Sequence, residues 1–384
     1  MKIAYCLDEI NSIGGIERVT IAKANALSRI DGNEVFLLVA FRGKEKPALK
    51  IAPAVSVIYL GVKYDAPRSL SRLREILFIL RTMKEHKRKL EQCLNRIAPD
   101  VVISVGMSEK HLLQKKAIAS NPVLIREFHF PLNYRQKQAE SLFEKGLALA
   151  GDFWERRRDL KNYDKIVSLT EEDLVENWHR DGRIAIIPNP LPSAPSRVSN
   201  LNNKVVITAG RLVRQKNYSS LISAWRYVNE RHPDWKLKIF GEGGLQAKLR
   251  AQIDNAGLSA SVQLCGTTHH ILEEMADSSI FVLSSLFEGL PLSILEAMAC
   301  GLPVVSYACP CGPKDIISDG KDGFLVDPGD EKGLALRLSS IIEDEALRYE
   351  MGRAAKAKSV RFSPEIISEK WMALFNELKY KEQC

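Results

Sequence analysis

The sequence predicts an α/β protein made of two doubly wound, parallel-sheet domains. Short apolar, β-branched runs alternate with longer amphipathic stretches along almost the whole chain, which is the pattern of βαβ units. Eleven such strand candidates are too many for one sheet of ordinary size. A chain of 384 residues also suits two domains at roughly 100–200 residues each.

The first six strand candidates are 2–7, 34–41, 55–60, 100–105, 123–127 and 165–169. The other five are 204–208, 236–240, 262–265, 280–283 and 303–307. Helical periodicity covers 16–29, 70–94, 218–230 and 291–299, with Pro291 expected at the first helical position. Residues 187–203 hold four of the 17 prolines and four asparagines, show no period, and read as a linker. From Ser363 the chain reads as one helix, with Ser363 as N-cap, Pro364 in the first turn and Ile366, Trp371, Leu374, Phe375 and Leu378 on one face. The expected boundaries are 1–190 for the first domain, with 364–384 packing back on it, and 191–363 for the second.

Composition narrows the function classes. Apolar residues make up 45% and charged residues 27%, ordinary values for a packed globular chain. No run approaches the ~20 apolar residues of a membrane-spanning helix. Asp8 and Glu9 follow Lys2 closely, so the start reads as structure and not as a signal or transit peptide. The net charge of +8 is uneven: residues 1–200 hold 33 bases and 24 acids, whereas 201–384 hold 22 and 23. An acidic partner is therefore expected at the first half. Aromatics reach only 7% and do not interleave with bases, which argues against nucleic acid. The seven cysteines are scattered, and Cys309-Pro-Cys311 has no second pair nearby to complete a zinc site. Reduced thiols in a cytosolic setting are expected.

Ligands of doubly wound sheets bind at the carboxyl ends of the strands, so the loops there carry the search. Gly14 and Gly15 stand where the first strand turns into a helix, and backbone N–H groups there can face an anion or merely shape a turn. After 204–208 comes Gly210-Arg211-Leu-Val-Arg-Gln-Lys216-Asn217. Arg211 offers a planar fork for a diphosphate and Lys216 a point charge. The plain alternative is two surface cations. Glu288 and Glu296 lie eight residues apart around the start of a helix. They can hold two ends of an elongated polar ligand while amides of Gly289, Leu290 and Leu292 meet its phosphates, or they can be unrelated surface acids.

Taken together, Glu288-x7-Glu296, Gly210-Arg-Leu…Lys216-Asn, Gly14-Gly15-Ile-Glu-Arg18, Gly241-Glu-Gly243 and Gly312-Pro-Lys-Asp315…Gly320…Gly323-Phe-Leu-Val326 resemble the retaining, family 4 type glycosyltransferases of GT-B fold. The motifs run in that family's order over about residues 1–380. The resemblance implies two Rossmann-like domains facing across a cleft, with a nucleotide-sugar donor on the second and the acceptor on the first. It assigns Arg211 and Lys216 to the donor diphosphate, Glu296 to the ribose, Glu288 to hydroxyls of the transferred sugar, and Thr267 to the neighbourhood of the base. Gly14 and Gly15 would meet the phosphates from the first domain. Such proteins often carry a His after a middle strand of the first domain; here His129 comes about a residue late, so either His129 or Glu127 takes that place. His269-His270 is read as a surface turn. No Asp-x-Asp triplet occurs, and neither a metal nor another cofactor is expected.

Residues 68–96 hold nine bases and three acids, with Leu70, Leu73, Ile76, Leu77, Leu80 and Met83 at helical spacing. Part of that stripe should pack on the sheet. The segment 76–80 is apolar all round, which suits contact with an anionic membrane. A second basic group, Arg156-Arg-Arg158 with Trp154 and Lys161, follows in the same domain. The expectation is a glycosyltransferase using a UDP- or GDP-sugar and a lipid-linked or polysaccharide acceptor in bacterial surface glycan synthesis, cytoplasmic and peripheral on the inner face of the cell membrane. The rivals are a nucleotide-sugar 2-epimerase and a non-catalytic sugar-nucleotide-binding subunit.

Overall fold

The structure, a computed structural model, describes residues 1–11, 14–41, 47, 49–64 and 71–383, the side chains of 381–383 excepted. Residues 68–70 of the basic segment and Cys384, the last of the seven cysteines, lie outside the described residues. The chain divides into two compact units, one of residues 1–169, 177–192 and 364–384, the other of 170–176 and 193–363.

The first unit runs β1 (Lys2–Leu7), α1 (Gly15–Leu27), β2 (Glu34–Val39), β3 (Val55–Tyr59), α2 (Arg72–Ile97), β4 (Val101–Ser104), β5 (Val123–Glu127), α3 (Tyr134–Gln138), α4 (Leu142–Asn162) and β6 (Lys165–Ser168). The short helix α5 (Glu171–Glu176) clusters with the second unit, and β7 (Ile184–Ile186) closes the first sheet. The strands lie parallel in the order β3-β2-β1-β4-β5-β6-β7. Central strands are buried on both faces, which is why they read as apolar runs without alternation. Ile3, Tyr5 and Leu7 pack into the layer holding α1, while Ala4 and Cys6 pack into the layer holding Leu90, Cys93, Leu94 and Ile97 of α2.

The second unit runs β8 (Val205–Ala209), α6 (Tyr218–Arg231), β9 (Lys236–Phe240), α7 (Gln246–Asn255), β10 (Val262–Gly266), α8 (Ile271–Ala276), β11 (Ile280–Leu283), α9 (Leu292–Ala299), β12 (Val304–Tyr307), α10 (Pro313–Ile316), β13 (Gly323–Val326), α11 (Glu331–Glu343) and α12 (Glu345–Ser359). Its strands are parallel in the order β10-β9-β8-β11-β12-β13. The final helix α13 (Pro364–Gln383) returns to the first unit and packs on α1.

Several sequence expectations shift. Among the described residues thirteen strands replace eleven, because the three-residue β7 is too short to show a period and β13 hides inside a glycine-rich motif. Pro291 is the N-cap of α9 with extended backbone, and Leu292 is the first helical residue. The buried face of α13 is Ile367, Trp371, Leu374, Phe375 and Leu378, with Ile367 in the place expected for Ile366. The linear boundary at 190 is interrupted at α5, because the Glu172 carboxylate takes Lys314 Nζ at 2.6 Å and the Cys311 N–H at 2.7 Å, and the Asp315 carboxylate accepts from the Glu171 N–H at 2.9 Å. In α2 only the second half packs on the sheet: Leu73, Ile76, Leu77 and Leu80 are exposed, the last three within the segment 76–80 expected to lie partly outward, and Thr82, His86, Leu90, Cys93, Leu94 and Ile97 are buried.

Candidate functional site

Both sheets reverse direction beside their first strand, β8 against β11 in the second unit and β1 against β4 in the first. Such a switch point opens a crevice at the carboxyl edge. In the second unit Lys216, in the turn after β8, meets Glu288, in the loop after β11, across that point. Lys216 Nζ lies 2.6 Å from Glu288 Oε1, and the Ser285 hydroxyl donates to the same oxygen at 2.6 Å. The Ser284 hydroxyl donates to the Lys216 carbonyl at 2.9 Å, and Gln215 Nε2 donates to the Phe287 carbonyl at 2.9 Å, so the two loops are stitched together. Glu288 is buried and ion-paired with Lys216.

Glycines let these turns approach. A Cβ on Gly241, whose φ is +133°, would lie 2.0 Å from the Gly210 carbonyl oxygen. The Gly241 N–H donates to the Gly266 carbonyl at 2.7 Å, so the ends of β8, β9 and β10 converge. Gly312, at φ +105°, lets the turn after β12 sit against Gly289, Leu290 and Pro291. Arg211 and Thr267 stand exposed on the turns following β8 and β10. Gly289 and Leu290 are buried, and Leu292 opens α9. Glu296 is buried within α9, and its carboxylate acts with burial to push the Cys300 thiol up to about 12. His269 and His270 are exposed, the latter as N-cap of α8.

In the first unit the carboxyl ends of β1, β4 and β5 open onto a cavity of about 450 Å³. Asp8, Arg126, Glu127, His129, Tyr134 and Arg135 are among its lining residues. His129 and Glu127 both line it, and sequence reasoning had left open which of them does. Their closest approach, His129 Nε2 to Glu127 Oε1, is 3.5 Å. Burial pushes the His129 ring down to about 4, with Glu127 opposing, so the imidazole is neutral at pH 7. Its two ring nitrogens have no hydrogen-bond partner among the described residues, nor does Glu127 Oε2. Buried polar atoms left unsatisfied at a cavity wall call for a polar ligand or water.

Three neighbours of this cavity were not singled out in the sequence. Lys23 of α1 is fully buried, ion-paired to Glu127, and lies over the rings of Tyr5 and Trp371. Burial lowers its pKa and Glu127 opposes that shift. Burial would raise Glu127, but Lys23, His129 and Arg126 hold it below the ordinary glutamate value. Arg126 Nη1 donates to the Gly106 carbonyl at 2.7 Å and the Ser104 carbonyl at 3.0 Å. Glu109 accepts from the Gly106 N–H at 2.7 Å and the Ser104 hydroxyl at 2.9 Å, yet burial pushes it up to about 7, Arg126 opposing. The signal for Lys23 was present: it is the one charge within the apolar stretch 19–27 of α1.

Gly14 and Gly15 also belong to this unit, Gly14 as N-cap of α1 and Gly15 as its first residue. The φ of Gly14 is −63°, so any need for glycine there comes from space and not from handedness. Among the described residues no group of three or more His, Cys, Asp or Glu side chains is arranged to hold a metal ion. The six cysteines among the described residues are free thiols, including Cys309 and Cys311.

Residues 193–358 match the family glycosyl transferases group 1. The chain is 30% identical to an exopolysaccharide phosphotransferase of Streptomyces coelicolor, over 98% of this chain and 41% of that protein. It is 25% identical to a Campylobacter jejuni α-1,4-N-acetyl-D-galactosaminyltransferase named for an undecaprenol-linked glycan, over 99% of each chain. In fold it is similar to S. aureus TarM, solved with UDP, at a TM-score of 0.75 and 16% identity, covering 98% of this chain and 99% of that one.

Proposed function

The chain belongs to the glycosyl transferases group 1 through residues 193–358 and has the GT-B fold, and on that premise we propose that it transfers a sugar, with retention, from a UDP-sugar to a bacterial surface-polymer or lipid-linked acceptor. A GDP-sugar is the second choice of donor. The observation that carries the reading is the Lys216–Glu288 pair across the β8/β11 switch point. UDP is favoured because similar structures were solved with it. The acceptor class follows the relatives, which act on polyol-phosphate polymers and undecaprenol-linked glycans.

In this reading the second unit takes the donor. Arg211 and Lys216 hold the diphosphate, amides of Gly289, Leu290 and Leu292 add to them, and Glu296 takes the ribose hydroxyls. Thr267 lies by the base, and Glu288 orients both Lys216 and the sugar hydroxyls. Departure of the diphosphate breaks the anomeric C–O bond and develops negative charge, which fixed cations and a helix start stabilise without reorganisation. The acceptor hydroxyl bonds to the same face of the anomeric carbon, and its proton passes to the leaving phosphate oxygen. The charge is carried by side chains and amides, and the reaction is read as metal-independent. The first unit's cavity takes the acceptor: neutral His129 hydrogen-bonds sugar hydroxyls, and Glu127 accepts from them. The basic segment 68–96 is read as the attachment to an anionic membrane on the cytoplasmic side.

Calorimetry with UDP, GDP and their sugars tests the donor assignment. Arg211→Ala, at an exposed position, is expected to weaken UDP binding by tenfold or more with no change in Tm, at about 1.5–3 kcal/mol for a charge-assisted hydrogen bond. Unchanged UDP affinity in that variant would overturn the assignment. Incubation with donor alone separates the epimerase reading, since an epimerase would turn over without an acceptor.

A further inference from the structure

Helix α4 is built inside out. Its buried residues are Asp152, Glu155 and Asp159. Six of its seven large apolar side chains, Leu142, Phe143, Leu147, Leu149, Phe153 and Trp154, are exposed, Leu142 to 88%, and Leu160 is half-buried. At 3.6 residues per turn these six fall within one arc of about 160°, opposite the buried acids. Two of the three acids have partners from other elements: the Glu155 carboxylate takes Lys110 and, at 2.8 Å, Arg135, and Asp152 accepts from Gln136 Nε2 at 2.9 Å. Nothing among the described residues explains the outward apolar face, and a surface helix of this kind marks an interaction site.

The first half of α2 behaves in the same way. From Arg72 to Arg81 no residue is buried, and Leu73, Ile76, Leu77 and Leu80 stand out to solvent. Both helices belong to one layer of the seven-stranded sheet, where Tyr163, at the end of α4, shares a cluster with Leu90, Cys93 and Leu94 of α2. As crossover helices of a parallel sheet, both begin at its carboxyl edge. At about 1.5 Å per residue they far outrun strands of four to six residues, so their first halves overhang that edge. Bases accompany the apolar groups: Arg72, Arg74, Arg81 and Lys84 on α2, and Arg157, Arg158 and Lys161 past the apolar arc of α4.

We propose that the outward face of α4 inserts into an anionic lipid bilayer beside the α2 overhang, so that the first unit stands on the membrane on two helices. This rests on the membrane attachment read above from 68–96 and adds the element that sequence did not show. Charge selects the occupant: a second copy would set basic against basic, whereas anionic headgroups complement both helices. The cavity supports it as well, since Tyr134, Arg135 and Gln138 of α3 and Glu155 of α4 line it, with exposed Phe130 and Met107 at its wall. A bilayer under α4 places an amphiphilic acceptor next to that cavity.

Trp154 is the natural reporter, because Trp178, Trp225, Trp235 and Trp371 are buried. The full chain mixed with phosphatidylglycerol vesicles is expected to sediment with them and to show a blue shift of tryptophan emission. The shift should vanish in Trp154→Phe, which still sediments. The triple variant Phe143→Glu, Leu147→Glu, Phe153→Glu is expected to lose vesicle binding by about tenfold or more, as insertion of an apolar face requires, while keeping UDP affinity. Loss of binding on changing Leu73, Ile76, Leu77 and Leu80 to Ser, with the α4 variant binding normally, overturns the α4 proposal and leaves the α2 attachment standing. Binding by neither wild type nor variants, with UDP affinity intact, overturns both membrane assignments without touching the donor site. A lipid-free dimer that the α4 variant dissociates overturns it in favour of a second copy.

Discussion

The carboxyl edges of the two sheets share a strand order and differ in how they use charge. From β3 to β6 in the first sheet and from β10 to β13 in the second, each sheet places its first strand between the second and fourth of its own series. At the second edge, turns built on Gly241 and Gly312 close tightly, Arg211 faces solvent, and the half-buried Lys216 meets the buried Glu288. At the first edge the charges lie behind a cavity wall: Lys23 with Glu127, Arg126 under Gly106, and a neutral His129. A backbone-walled edge can approach a phosphate, which every nucleotide donor presents. A cavity walled by desolvated side chains discriminates among hydroxyl patterns, where acceptors differ. On the proposed reading, one scaffold thus provides a generic donor site and a selective acceptor site.

The sharpest way to break this contrast is to remove one buried partner. Glu127→Ala leaves the Lys23 ammonium buried without its carboxylate and is expected to destabilise the first unit by about 3–5 kcal/mol. Hydrogen exchange resolved by unit should show the loss in residues 1–169 and leave 193–363 protected as before; equal losses in both would remove the distinction. Next in size, Gly241→Ala brings a Cβ against the Gly210 carbonyl and forces a φ that L-residues avoid, at about 1–3 kcal/mol. Here the loss should fall in the second unit, together with weaker UDP binding, as chemical denaturation and calorimetry can check.

The smallest effects sharpen the electrostatic half of the comparison, because two groups at the first edge shift in opposite senses. His129 is held down at about 4 against an ordinary 6.5, so between those values the unfolded chain binds a proton that the folded chain refuses. Its contribution is lost as pH falls through that window, by at most about 3 kcal/mol. Glu109 is held up at about 7 against 4.5, so its contribution is present at acid pH and lost as pH rises toward and through 7. His129→Gln should flatten the decline of stability from pH 6.5 to 4, and Glu109→Gln the decline from pH 4.5 to 7. Urea midpoints of each variant and the wild type at pH 4.5, 5.5 and 7 test both, and slopes identical to wild type would remove the shifts.

Much of this was legible in the chain because the deciding interactions are local or periodic. Alternation of apolar runs and helical stripes announces parallel sheets, since a strand buried on both faces has to be apolar throughout. Glycines and cations just after strands mark the carboxyl edge of a parallel sheet, because position within a βα turn already places them there. Residue types alone could not decide which groups would be desolvated against which. Lys23 and Glu127 are 104 residues apart, and their pairing exists only once α1 lies over β5. Lys216 and Glu288 were read as two separate contacts with a ligand, whereas the fold closes them on each other across 72 residues. The net positive charge of the first half was visible in composition. That its apolar companions on α4 face outward emerged only when packing turned Asp152, Glu155 and Asp159 toward the protein, because a helix turns inward whichever face finds partners.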